Sequence, residues 1–126
     1  MLLSEYLTWI ADTIEEYSKT DLIVHSDIRS DIRTSKIGII SGSLVFVDDS
    51  KLFFMEYLDV RYKPQKLSYS FHYQSKDDEL IFRYDNAEHK PKLAFVGHKH
   101  LRGGSIIETE TPDLAIVLEE IINAFL

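Results

Sequence analysis

Apolar and polar residues alternate at every second position in four consecutive segments in the middle of the chain. A period of two places successive side chains on opposite faces of a β-strand, so each segment is predicted to be a strand. The four predicted strands are 38–49, 50–62, 66–74 and 79–85. Turn residues at Asp48–Lys51 and Lys76–Glu79 join them into two hairpins. Residues 22–33 are predicted to form a preceding strand, which gives an antiparallel meander of about five strands.

At both ends of the chain the period changes to about 3.6 residues, which is typical of helices. Residues 3–18 place one apolar stripe opposite acidic and polar residues, as in an amphipathic helix. Thr111 as N-cap and Pro112 at the first helical position predict the start of a second helix. The sequence therefore predicts one α+β domain, residues 1–126, with an N-terminal and a C-terminal helix packed on the sheet.

Length and composition narrow the class of protein. A chain of 126 residues with 44% hydrophobic and 28% charged residues has the balance of an ordinary globular domain. Its apolar runs are too short to span a bilayer, and the opening segment lacks the basic region of a signal peptide. Cysteine is absent, which excludes disulfides, thiolate metal sites and a cysteine nucleophile, and suits a cytoplasmic protein.

Charge is distributed unevenly along the chain. The net charge is −7, yet residues 61–102 carry nine Lys and Arg residues against five acids. Four of the five histidines lie in the same segment. We expect this basic, histidine-rich segment to be able to meet a phosphate backbone despite the acidic remainder of the chain. The alternative is an ordinary solvated surface with uneven charge.

The second predicted hairpin collects polar residues on one face. Its turn sets Tyr73 opposite Phe82 and His72 opposite Arg83, so alternate residues face the core. The polar face then carries Ser68, Ser70, His72, Gln74, Arg83 and Asp85. An arginine directly across the strand pair favours the neutral form of His72. A polar face on an antiparallel sheet is also the ordinary case, because such sheets often leave one face in water.

Further polar residues follow this hairpin directly. They are Asn86, His89, His98 and His100. If residues 98–100 are extended, His98 and His100 share one face, and both imidazoles are able to approach the polar face of the hairpin. The predicted catalytic group therefore consists of His72, Arg83, Asp85, His98 and His100.

Glu56 is a separate signal, because it shares a predicted strand face with large apolar residues. A carboxylate in such surroundings is expected to be paired or to have a raised pKa. Its strand is predicted to lie beside the 66–74 strand, which would bring His72 or Arg83 within reach. Glu56 is therefore a candidate site residue, and a structural ion pair is the alternative.

Three motifs within residues 66–101 resemble a known family. They are LSYSFHYQ, LIFRYDNAEHKP and GHKHL. The matching residues include Tyr69, His72, Tyr73, Gln74, Phe82, Arg83, Tyr84, Asp85, Asn86, Ala87, His89, His98, Lys99 and His100. In these motifs the chain resembles the TumE-like toxins, short prokaryotic proteins that are the toxin partners of type II toxin–antitoxin modules. The resemblance implies an antitoxin partner, encoded beside the toxin and of the helix-turn-helix type.

The leading functional prediction is a toxin that acts on RNA as a metal-independent endoribonuclease with no cofactor. RNA cleavage needs a base for the 2′-OH proton, an acid for the leaving oxygen and cations for the phosphate. His72, His98 and His100 are candidate acids and bases, and Asp85 would orient a histidine. Arg83 and Lys99 are predicted to hold phosphate, and Tyr73 or Tyr84 to stack on a base or donate a hydrogen bond. The predicted substrate-binding set is Tyr73, Tyr84, Asn86, His89, Lys99 and Glu56.

Two alternative functions, from other classes of protein, are also consistent with the sequence. His98 and His100 have the His-x-His spacing of many zinc sites, and Asp85, His89 or His72 would add ligands for zinc or another divalent metal. A non-catalytic domain would instead bind the antitoxin through its acidic helices with Trp9 and Ile116, or form a homodimer.

Overall fold

The computed structural model describes residues 1–87 and 96–126. Over these residues the chain forms two helices and one antiparallel sheet of seven strands in chain order. The helices are α1 (Leu3–Ser18) and α2 (Leu114–Phe125). The strands are β1 (Ile23–Thr34), β2 (Ile37–Phe46), β3 (Lys51–Asp59), β4 (Gln65–Gln74), β5 (Leu80–Asp85), β6 (His98–Leu101) and β7 (Ile106–Glu108).

The predicted α+β meander is confirmed, and so are the position of α1 and the five predicted strands. The predicted number of strands was too low, because β6 and β7 were not recognised. These strands have four and three residues, too few for an alternating pattern to stand out. A turn containing Gly104, whose φ of +92° suits glycine, joins them.

The two faces of the sheet differ in what the described residues place on them. Both helices pack on the same face, where the aromatic residues of β4 and β5 form the core together with the apolar stripes of α1 and α2. The largest core side chains are Tyr73, Phe46, Phe71 and Phe82. No helix among the described residues packs on the opposite face, which we call the outer face. The register of β4 and β5 pairs Tyr73 with Phe82 and His72 with Arg83, as predicted.

Helix α2 begins later than the sequence indicated. Asp113, not Thr111, is the N-cap, and its Oδ1 accepts a hydrogen bond from the backbone N–H of Ile116 at 2.8 Å. Pro112 therefore precedes the cap instead of occupying the first helical position. The predicted cap was wrong because Thr111 and Asp113 are both good caps, and only the packing of the helix selects between them.

Replacing the cap tests this assignment. Asp113→Ala removes the acceptor of the Ile116 N–H, so we expect it to lower the free energy of unfolding by about 1 kcal/mol. Thr111→Ala is the matched control and should change stability by less than about 0.5 kcal/mol. Urea unfolding followed by circular dichroism measures both values. Equal losses in the two variants would contradict the assignment.

The surface of the helices carries large apolar side chains. Trp9 on α1 and Ile116 on α2 are exposed, as the periodicity indicated. The indole of Trp9 lies edge-on to the ring of Tyr6, with 5.3 Å between the ring centroids. Among the described residues, neither helix has the length and apolar character needed to cross a membrane.

Candidate functional site

Three neighbouring strands bring the polar residues together on the outer face. His72 of β4 lies opposite Arg83 of β5, and Arg83 lies opposite His100 of β6. Two residues along, Asp85 lies opposite His98. Because residues i and i+2 of a strand share a face, all five side chains project from the same side of the sheet. We call these five residues the outer-face cluster.

Arg83 occupies the middle of the cluster. Its Nε donates to Oδ2 of Asp85 at 2.7 Å, and its Nη1 donates to Nδ1 of His72 at 3.3 Å. The Arg83 side chain remains 36% exposed. The guanidinium is therefore held from two sides while part of it is open to solvent.

The hydrogen bonds of His72 define its tautomer. A guanidinium only donates, so Nδ1 of His72 must accept from Arg83. Nε2 then carries the proton and donates to Oε1 of Gln74 at 3.1 Å. Burial lowers the pKa of His72, and the positive charge of Arg83 lowers it further. This agrees with the predicted neutral form, and it makes His72 a residue that positions Arg83.

The depressed pKa of His72 predicts a pH dependence of stability. An unfolded histidine titrates near 6.5, so the unfolded chain binds more protons than the folded chain below that pH. Stability contributed by neutral His72 is therefore present above pH 6.5 and lost as the pH falls through and below it. In His72→Asn, whose side-chain oxygen still accepts from Arg83, that loss should be absent. Urea unfolding at pH 7.5 and 5.5 measures the difference in the free energy of unfolding between the wild type and His72→Asn. A difference that does not change with pH would contradict the lowered pKa of His72.

Asp85 joins Arg83 to the two histidines of β6. Its Oδ2 accepts from Arg83, while its Oδ1 contacts Nε2 of His98 and lies 3.6 Å from Nε2 of His100. The exposed fractions of the three side chains are 6% for Asp85, 1% for His98 and 22% for His100. His98 is therefore closed off from solvent, whereas His100 reaches it. The predicted convergence of both imidazoles on this face is present.

Nδ1 of His98 lies 2.8 Å from the carbonyl oxygen of Val96. A carbonyl only accepts, so Nδ1 carries a proton. A neutral ring with this tautomer presents a lone pair at Nε2, directly towards a carboxylate oxygen. Two acceptors in contact repel each other, so the pair needs a second proton on the ring or a cation between the two atoms.

A cleft of about 400 Å³ lies beside the cluster on the outer face. It is lined by Phe53, Phe54, Met55, Ser70, His72, Gln74 and Arg83. Phe53 is 42% exposed, and its ring centroid lies 6.4 Å from that of His72. The sequence interpretation missed Phe53. The signal was available, because alternation along β3 places Phe53 on the face opposite Leu52 and Phe54.

Three residues predicted to bind substrate lie on the other face of the sheet. Tyr73 is buried, with its hydroxyl 2.7 Å from Oγ of Ser50. Tyr84 donates to Glu120 of α2 at 2.5 Å, and Lys99 forms an ion pair with the same carboxylate at 2.5 Å. Alternation points all three residues into the helix-covered face, which for Tyr73 and Tyr84 is the core face that the pattern predicted. Their contact with a substrate stays a prediction.

Glu56 also lies on the helix-covered face. Its strand β3 does pair with β4 as predicted, but its side chain points away from His72 and Arg83. Oε2 of Glu56 accepts from the Tyr6 hydroxyl at 2.7 Å and lies 3.1 Å from Nζ of Lys66. Of the two interpretations, the structural ion pair is the one present.

The two remaining candidates follow β5. Asn86 accepts from the backbone N–H of Tyr69 at 3.0 Å and donates to the carbonyl of Leu67 at 3.2 Å. Its amide thus extends the pairing of β4 and β5 by one step, which is a structural role. His89 lies outside the described residues.

Comparison with known protein families gives a match. The model of a family described as Toxin TumE matches residues 10–125, which is nearly the whole chain. No curated protein and no solved structure matches.

Proposed function

The chain belongs to the Toxin TumE family, and from that premise we propose that this toxin cleaves RNA with the outer-face cluster. The proposal retains the endoribonuclease predicted from the sequence and narrows its site. The toxin acts in the cytoplasm, on the RNA of its own cell, and an antitoxin protein of the helix-turn-helix type restrains it.

One observation carries the proposal. Arg83 is partly exposed on an open sheet face while Asp85 and His72 hold its guanidinium by hydrogen bonds of 2.7 and 3.3 Å. A fixed guanidinium presents paired donors to a phosphate without losing further side-chain freedom, and it stabilises the charge that develops when a phosphodiester is attacked. The cleft that continues from Arg83 towards Phe53 gives room for a base on an aromatic side chain.

Proton transfer in this scheme falls to the histidines of β6. His72 holds its proton on Nε2 and uses Nδ1 as the acceptor of Arg83. His98 is closed off from solvent, so His100 is the histidine of the cluster that a substrate reaches most easily. In the metal-independent reaction predicted from the sequence, His100 takes the proton of the 2′-OH and Asp85 orients its ring. The 2′ oxygen bonds to phosphorus, the bond from phosphorus to the 5′ oxygen breaks, and the leaving 5′ oxygen takes a proton from water. That the reaction needs no metal stays a prediction.

The test is incubation of pure toxin with RNA, with and without EDTA, beside Arg83→Ala and His100→Ala. We expect the wild type to cleave RNA and both variants to fall by at least about 100-fold. His25→Ala changes an exposed histidine on β1 and is the matched control, which should cleave like the wild type. RNA left intact by the wild type under both conditions would end the ribonuclease proposal.

A further inference from the structure

We propose that Asp85, His98 and His100 form a binding site for one divalent metal ion, with zinc as the best fit to the ligand types. The inference goes beyond the proposed function, whose reaction needs no metal, by assigning an ion to residues of the same cluster. It does not depend on RNA cleavage, since the ion would bind whether or not the toxin cuts RNA.

The first argument is the contact between His98 and Asp85. Nδ1 of His98 donates to the Val96 carbonyl, so the lone pair of a neutral ring points from Nε2 at Oδ1 of Asp85. That oxygen is buried, and among the described residues it accepts no hydrogen bond of ordinary geometry. A cation between Nε2 and Oδ1 uses both lone pairs at once and removes their repulsion.

The second argument is the position of His100. Its Nε2 lies 3.6 Å from the same oxygen, and the three possible ligand atoms lie within 4.8 Å of one another. Tetrahedral zinc, with bonds of about 2.0–2.1 Å, spaces its ligand atoms about 3.3 Å apart. The pairing of Asp85 with His98, and the shared face of His98 and His100, already fix the backbone. To hold the ion, the contact between His98 and Asp85 would open and the ring of His100 would move closer, until the three atoms reach that spacing.

The third argument is the support behind the ligands. Histidines that bind metals commonly donate their second ring N–H to a backbone carbonyl, and ligating carboxylates are hydrogen-bonded in turn. His98 does the first through Val96, and Asp85 does the second by accepting from Arg83 at its other oxygen. Arg83 therefore occupies Oδ2 and leaves Oδ1 to the ion. Two imidazoles with one carboxylate favour zinc over magnesium or calcium, which prefer oxygen ligands.

The open side of the site faces solvent through His100, whose side chain is 22% exposed. A fourth ligand position on that side suits a water molecule, as in catalytic zinc sites. In the proposed reaction, such a water would act as the base in place of His100, and Arg83 would still bind the phosphate. Metal binding and direct proton transfer by His100 are therefore alternatives that the experiment separates.

Zinc binding is measured on the purified full chain. The protein is freed of metal with a chelator and dialysed, and zinc is then titrated in competition with a chromophoric chelator. Elemental analysis after gel filtration gives the stoichiometry. The variants are Asp85→Asn and His100→Gln, and His25→Gln is the control, because it removes an exposed histidine far along the sheet on β1. Circular dichroism first establishes which variants fold. If Asp85→Asn does not fold, His100→Gln carries the comparison, since its side chain is the most exposed of the three.

We expect wild type and His25→Gln to bind one equivalent of zinc, and each ligand variant to bind it about 100-fold more weakly or less. Zinc should also raise the melting temperature of the wild type and leave that of His100→Gln unchanged. Equal affinity in wild type and His100→Gln would overturn the site and leave an ordinary ion pair. Stoichiometric zinc binding without RNA cleavage would support the metal site and contradict the ribonuclease proposal. Full RNA cleavage by a protein that binds no zinc would support the ribonuclease proposal and contradict the metal site.

Discussion

Expression of the wild-type toxin in a bacterium is expected to arrest growth, and Arg83→Ala is expected to abolish that arrest. The guanidinium is the partly exposed cation of the outer-face cluster, and no other side chain there offers paired donors to a phosphate. Loss of one such group from a reaction centre lowers rates by about 100-fold to 1,000-fold. Inducible expression, with colony counts of wild type and variant at equal protein levels, measures the effect.

A loss of toxicity must be separated from a loss of folding. Arg83→Ala removes a partner from the buried carboxylate of Asp85, so we also expect it to reduce stability, by about 1–3 kcal/mol. Arg83→Lys keeps the charge, but a single ammonium does not reproduce both hydrogen bonds, so its toxicity should be intermediate. Arg29→Ala is the matched control, because Arg29 pairs with Asp27 on the surface at 3.0 Å. A folded Arg83→Ala protein that arrests growth as well as the wild type does would refute the assigned site.

Glu56→Ala is expected to cause the largest loss of stability, about 3–5 kcal/mol. Glu56 is 1% exposed, and its removal leaves Lys66 and the Tyr6 hydroxyl without their carboxylate under the helices. A buried charge that loses its partner keeps its desolvation penalty, which is why such changes are severe. Burial and the charge of Glu56 raise the pKa of Tyr6, so the hydroxyl stays protonated and remains a donor. Urea unfolding measures the loss.

Two milder variants locate the effect. Tyr6→Phe removes one hydrogen bond and should lower the free energy of unfolding by about 1–2 kcal/mol. Glu56→Gln keeps the shape of the side chain and the acceptor for Tyr6 but removes the charge. Its loss of stability should therefore fall between those of Tyr6→Phe and Glu56→Ala. A loss below about 1 kcal/mol for Glu56→Ala would contradict the structural role. Folded Glu56→Gln should arrest growth like the wild type, since Glu56 lies on the face opposite the cluster.

The parts of the fold that alternation specifies were predictable from the sequence. If β5 were shifted by one residue, Arg83 would be buried and Phe82 would be exposed. The register of β4 and β5 therefore follows from the alternating pattern alone. The same reasoning set His72 opposite Arg83 and Asp85 on the same face. The meeting of His98 and His100 with Asp85 followed from one further assumption, that residues 98–100 are extended, and β6 satisfies it.

The features that the sequence did not predict depend on packing between the sheet and the helices. Lys99 lies between two members of the cluster, and its motif suggested a phosphate contact, but alternation points it at Glu120 of α2. Glu56 was placed on the correct strand, yet its partner Tyr6 comes from α1, fifty residues away, and nothing local indicates that pairing. The cap of α2 at Asp113 was decided by helix packing in the same way.

The order of the elements has a consequence for synthesis of the toxin on the ribosome. Each strand pairs with the one made just before it, so the sheet can assemble hairpin by hairpin as the chain emerges. The side chains of α2 that cover Phe82 and Tyr84 are made after all seven described strands. Until they arrive, the nascent chain exposes an apolar surface and β6 lacks the support of Glu120 behind Lys99. The covered face of the sheet is therefore complete only after α2 has been made.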